Sequence, residues 1–136
     1  MYVLVTISRT WKRSVDPELK AMRSILGKFR MLYPGATLLH GDCPEGDRDA
    51  AAMWAGWGLP TRAVPVTGQE WARYGRSAGL RRNARMVALR PVVCVALIAH
   101  KSRGATGCAD LADEAGIMTM RFPGEELPGE MPSAVG

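Results

Sequence analysis

Apolar positions along this chain fall into two alternating patterns. Tyr2 to Ser8 (YVLVTIS) is β-branched and almost continuously apolar, which predicts a strand buried on both faces, as in parallel sheets. Asp16-Pro17-Glu18 then reads as a helix start, and Leu19, Met22, Ile25, Leu26, Phe29 and Tyr33 recur at helical spacing until Pro34-Gly35. A short strand from Ala36 to His40 follows. After it comes an alanine-rich helix from Ala50 to Gly58, anchored by Trp54 and Trp57, and a third strand from Arg62 to Val66. Glu70 to Met86 (EWARYGRSAGLRRNARM) has few apolar side chains and is broken by Gly75 and Gly79. It predicts a basic, aromatic loop leading into a helix that starts near Leu80 and ends near Leu89. Val92 to Ala99 is the most apolar run and the best central strand. A helix then runs to Ala115 on Cys108, Leu111, Ala112 and Ala115, and Ile117 to Phe122 gives a fifth strand. Five alternations of strand and helix predict an α/β domain over residues 1–122: a mostly parallel five-stranded sheet with helices on both faces. Residues 123–136 are expected to form a mobile Pro/Gly/Glu-rich tail.

Length and composition add boundaries to this picture. The chain has 136 residues, enough for one core, with 47 % hydrophobic and 23 % charged positions. No apolar run approaches the roughly 20 residues that span a bilayer. The N-terminus enters a strand pattern at once, so no signal peptide is expected. Cys43, Cys94 and Cys108 are odd in number and lack CxxC spacing, which suits a reducing cytoplasm. Net charge is +5, but the last 14 residues hold three glutamates and no base, leaving +8 on residues 1–122. A basic body favours polyanionic partners such as nucleotides or nucleic acid.

Polar loops follow three of the strands: Ser8–Trp11, Gly41–Asp49 and Lys101–Gly107. In open α/β sheets such loops lie at the carboxyl ends of strands and feed helix N-termini, whose N–H groups attract phosphate. Neither GxGxxG after the first strand nor GxxxxGK[ST] is present, so no cofactor fingerprint can be assigned. His40 and Cys43 have ligand-like spacing, but no second pair completes a zinc shell. Trp54 and Trp57 read as core anchors, and Cys94 and Cys108 as small buried apolar groups. Trp71 and Tyr74, on the expected loop, read as exposed binding aromatics. Arg81 and Arg85 fit a solvated helix face as well as they fit a site.

The combination of VTISRTW, HGDCPEG, WARYGRSAGLRRNARM and SRGATGCADLADEAGI resembles the SLOG superfamily, which includes the DNA-processing protein DprA and the LOG enzymes. It is most similar to the small bacterial and phage branch named for YspA and cpYpsA-related members, in register over residues 1–122. The resemblance implies a Rossmann-like three-layer domain whose loops hold a nucleotide or nucleotide-derived ligand. By motif it transfers binding roles to Ser8, Arg9, Gly41, Asp42, Gly46, Trp71, Tyr74, Gly75, Arg82, Asn83, Ser102, Arg103 and Gly104. Thr106 joins them through the same loop. The chain departs from the pattern at Ile7, where glycine is common, at Thr10, and at Asp47-Arg48. The LOG signature PGGxGTxxE is not present.

Three readings follow. The first is binding, for sensing or sequestration, of a nucleotide-derived small molecule, with Trp71 and Tyr74 forming a lid over the ligand and Arg82 holding phosphate. The second is a nucleotide-processing hydrolase of LOG-like type, with Asp42, Asp47 and Asp110 as candidate acids. The third is nucleic-acid binding, as in DprA. A homodimer is compatible with each, and a membrane role with none.

Overall fold

A computed structural model describes residues 1–99 and 102–124. Five strands form one sheet: β1 (Tyr2–Ile7), β2 (Thr37–His40), β3 (Thr61–Ala63), β4 (Val93–Ala99) and β5 (Thr119–Gly124). Their order is β3-β2-β1-β4-β5, and every pairing is parallel. The helices are α1 (Lys20–Leu32), α2 (Asp47–Gly56), α3 (Gly68–Tyr74), α4 (Ser77–Ala88) and α5 (Arg103–Glu114).

Side-chain alternation in β1 divides the core. Val3, Val5 and Ile7 pack with Met22, Leu26 and Phe29 of α1 and with Ala50, Met53 and Trp54 of α2. Leu4 packs on the other face with Met86 and Val87 of α4 and Cys108 and Ala112 of α5. The result is the three-layer, Rossmann-like α/β/α arrangement, with burial on both faces explaining the continuous apolar strands. Trp54 is fully buried and its indole N–H donates to Ala36 O at 3.0 Å, the anchor role its sequence context suggests. Cys94 and Cys108 are likewise buried.

The sequence reading needs correction at several places. α2 covers Asp47–Gly56 rather than Ala50 to Gly58, and β3 covers Thr61–Ala63 rather than Arg62 to Val66. α1 starts at Lys20 rather than Pro17, because Leu19 takes a left-handed conformation (φ 59°) that closes the preceding loop. Asp16 still caps it, accepting from Lys20 N (3.1 Å) and Ala21 N (2.8 Å). Residues 68–74, expected as loop, are helical: Thr67 Oγ1 accepts from Glu70 N while Glu70 Oε1 accepts from Thr67 N, a reciprocal capping box. Gly75 (φ 56°) ends that helix, so α4 restarts at Ser77, before Leu80. α5 starts at Arg103, inside the Lys101–Gly107 stretch expected as a loop before the helix. Finally, β5 runs through Pro123-Gly124, two residues into the expected tail. Pro123 is tolerated because β5 is an edge strand. Gly124 is required by Trp11: a Cβ there would lie 2.5 Å from Trp11 Cδ1, whose ring is fixed by its N–H donating to Phe122 O at 2.7 Å. Residues 125–136, and His100-Lys101 of the polar loop, lie outside the described residues.

Candidate functional site

From β1 the chain first builds outward through β2 and β3, then returns to place β4 on the other side of β1. Sheet order therefore reverses between β1 and β4, and the two strands part at their carboxyl ends. The last ladder pair is Ile7 with Leu97, extended by Ser8 N donating to Leu97 O at 2.9 Å. One step further, Ala99 N is bonded by the Ser8 hydroxyl (2.9 Å) instead of a backbone carbonyl. A crevice of about 470 Å³ opens there, within the size range of small-molecule sites.

Its lining is graded from mouth to floor. Arg9, Arg103 and Gly104 are exposed at the mouth. Thr6, Ser8, Asp47 and Asn83 are buried at the floor, each no more than 8 % exposed. The α5 N-terminus projects Ser102, Arg103, Gly104 and Ala105 along one wall; its first turn has no acid and its cap residue Ser102 makes no capping side-chain bond. Those N–H groups keep their affinity for an anion. Opposite, α2 begins at Asp47 and already has Asp47 and Asp49 in its first turn, so its N-terminus is served from within. Arg13 ties the β1–α1 loop to that turn, donating to Asp49 Oδ2 and, through Nε, to Arg9 O (3.2 Å).

One network holds the floor. Asp47 Oδ2 accepts from Gly41 N (2.9 Å) and Cys43 N (3.4 Å). Burial pushes the Asp47 carboxyl up to about 6, against the lowering effect of those two N–H groups and of Arg82. Arg82 reaches across from α4: one terminal nitrogen donates to Gly41 O at 2.6 Å, and Nε donates to Asn83 Oδ1 at 2.8 Å. Gly41 is the only residue type that admits this approach, since a Cβ would sit 2.4 Å from the guanidinium. Beside it, burial raises the Cys43 thiol and lowers His40, whose Nδ1 accepts from Asp42 N at 3.0 Å.

A Gene 61 protein of Mycobacterium phage D29 is 31 % identical over 124 residues, covering 88 % of this chain and 94 % of that protein. The chain belongs to the Gene 61 protein family. No family model matches, and no solved structure matches.

In this Gene 61 family member the crevice gathers Ser8, Arg9, Asp47, Arg82, Asn83, Ser102, Arg103 and Gly104 from four separate stretches of sequence. Gly41 does not line it but supports Arg82 from behind. Gly46 is likewise structural: it holds φ 83°, and a Cβ there would lie 2.9 Å from Ile7 Cγ2. Asp42 does not line the crevice either; its carboxylate pairs with Arg48 (3.0 Å). Thr106 lies half-buried in α5 outside the lining, and Asp110 pairs with Arg121 of β5 at 3.0 Å. Trp71, Tyr74 and Gly75 stand apart on α3 and its end, Trp71 being 55 % exposed and Tyr74 covered by Arg81 at 3.8 Å. Of the candidate acids, only Asp47 is in the crevice. Thr6, Cys43, Pro44 and Met86 line it unforeseen. Thr6 was legible in principle, as the polar position facing away from Val5 and Ile7 in an otherwise apolar strand.

Proposed function

We propose that this protein binds a nucleotide or nucleotide-derived small molecule in the crevice between the carboxyl ends of β1 and β4, to sense or sequester it. The observation that carries the reading is the location: a ligand-sized crevice at the point where sheet order reverses, where open α/β sheets place their ligands. Its mouth combines Arg9, Arg103 and an α5 N-terminus without internal acid, a setting suited to phosphate. The likeness of its loops to the SLOG superfamily supports the same ligand class. Arg82 gives Nε and one terminal N–H to Asn83 and Gly41, and lines the crevice with N–H groups still free to meet a phosphate. Mass spectrometry of heat-extracted protein, with a thermal-shift panel of nucleotides, tests the reading. A co-purifying nucleotide or a raised Tm supports it; the absence of both refutes it.

One observation favours a second reading, hydrolysis of the nucleotide. Asp47 sits on the crevice floor with its carboxyl raised to about 6, within the range where a carboxyl can exchange a proton near neutral pH. Release of free base or pentose phosphate by wild type, lost in Asp47→Asn, supports hydrolysis. A ligand that binds and is recovered intact assigns the site to binding alone.

A further inference from the structure

Asn83 is 6 % exposed, lies on the crevice floor, and uses only half of its amide within the protein. Its orientation is fixed by chemistry: arginine has no acceptor, so the atom facing Arg82 Nε at 2.8 Å must be the amide oxygen. The amide N–H2 then points away from Arg82 and has no partner among the described residues. No fully enclosed side-chain nitrogen or oxygen of the described residues lacks a hydrogen bond, so this N–H2 is reached from the crevice. In the same lining, Asp47 receives its backbone bonds on Oδ2 and keeps acceptor capacity on Oδ1. The floor thus pairs a committed donor with a committed acceptor, and the Ser8 hydroxyl, which accepts from Ala99 N, can still donate.

The ligand has to match two zones: an anionic end at the Arg9 and Arg103 mouth, and an uncharged end on the floor that both accepts and donates. Alcohol hydroxyls do both. A nucleobase also does both at its edge, but bases are ordinarily seated against a ring, and among the described residues no aromatic side chain lines this crevice. Trp71 and Tyr74 lie outside it.

Resting on the nucleotide reading of this crevice, we infer that its floor takes the vicinal hydroxyls of a pentose phosphate, free or as part of a nucleotide, with Asn83 as the specificity-determining donor and any base left towards the mouth. Arg82 is then a positioning residue: held by Gly41 O, it fixes the direction in which Asn83 presents its N–H2.

Calorimetric titration of the full chain with ribose 5-phosphate, 2-deoxyribose 5-phosphate, inorganic phosphate and a nucleoside 5′-monophosphate tests this. The expected result is ribose 5-phosphate binding within about tenfold of the nucleotide, with 2-deoxyribose 5-phosphate and inorganic phosphate each weaker by on the order of tenfold or more, the effect of one unmade hydrogen bond. In Asn83→Ala the ratio between the ribose and deoxyribose ligands should collapse towards one, a change that loss of stability alone does not produce. Because the ligand-side comparison needs only wild type, the inference stays testable if that variant does not fold. Equal affinity for the two sugars overturns it. A nucleotide that binds while ribose 5-phosphate does not, or binds much more weakly, overturns the sugar assignment and leaves nucleotide binding standing. Failure of every phosphorylated ligand overturns both.

Discussion

Gly41 shows how a glycine can be needed without unusual backbone geometry. Its role is to leave room for the Arg82 guanidinium, which a methyl group would meet at 2.4 Å. We expect Gly41→Ala to push the Arg82 guanidinium off Gly41 O and to destabilise the fold by about 1 kcal/mol in urea denaturation, the worth of that hydrogen bond. A variant as stable as wild type would show that the guanidinium is not seated there. Asp47 makes a different demand. Its carboxyl gives up a proton near pH 3.8 in an unfolded chain but near 6 when folded. Below 3.8 both states hold the proton. Between 3.8 and about 6 the folded state alone keeps it, so this group lowers stability as pH rises, and above 6 the loss is constant at roughly 3 kcal/mol. Asp47→Asn keeps an oxygen for Gly41 N and Cys43 N and removes that loss. The variant should be more stable than wild type at pH 7 and nearly equal at pH 4, measured by urea denaturation at both. An equal difference at the two pH values would contradict this. An acid kept where it weakens the fold is better explained by what it does for a ligand than by packing. Neither role was legible in the sequence, because Gly41, Asp47 and Arg82 are up to 41 positions apart.

Among the helices, α3 stands out because none of its side chains is buried. Its basic, aromatic composition predicted a loop; the helix forms through the Thr67–Glu70 capping box and the pairing of Glu70 with Arg85 of α4. Apolar periodicity reports packing, so it is blind to a helix held by local bonds alone, whereas the T-x-x-E signature was there to be read. Such a helix should open independently of the core. Native-state hydrogen exchange should show α3 amides far less protected than those of α4 and α5, and Thr67→Ala should abolish their protection while shifting global stability by under about 1 kcal/mol. Equal protection of α3 and α4 would mean that α3 belongs to the core's cooperative unit. The strands were easier to read. The Tyr2–Ser8, Ala36–His40 and Val92–Ala99 runs fall on observed strands, because burial on both faces leaves continuous apolar signal. β5 was read short at Pro123, a residue whose meaning depends on whether a strand is at an edge, which sequence alone does not state.

For the whole molecule, strand order is what converts scattered loops into a site. The alternating pattern predicted a parallel sheet, but only the order β3-β2-β1-β4-β5 brings the loops after β1 and β4 together and sets α3, with Trp71 and Tyr74, aside. Residues expected as a lid thus do not line the crevice, which is built from β1, the β2–α2 loop, α4 and α5. This distinction can be measured directly. In a titration of isotope-labelled protein with the nucleotide that gives the largest thermal shift, amide and side-chain NMR perturbations are expected at Ser8, Arg9, Cys43, Asn83 and Arg103–Ala105, with α3 unmoved. Perturbations centred on Trp71, Arg73 and Tyr74, with the crevice silent, would contradict it.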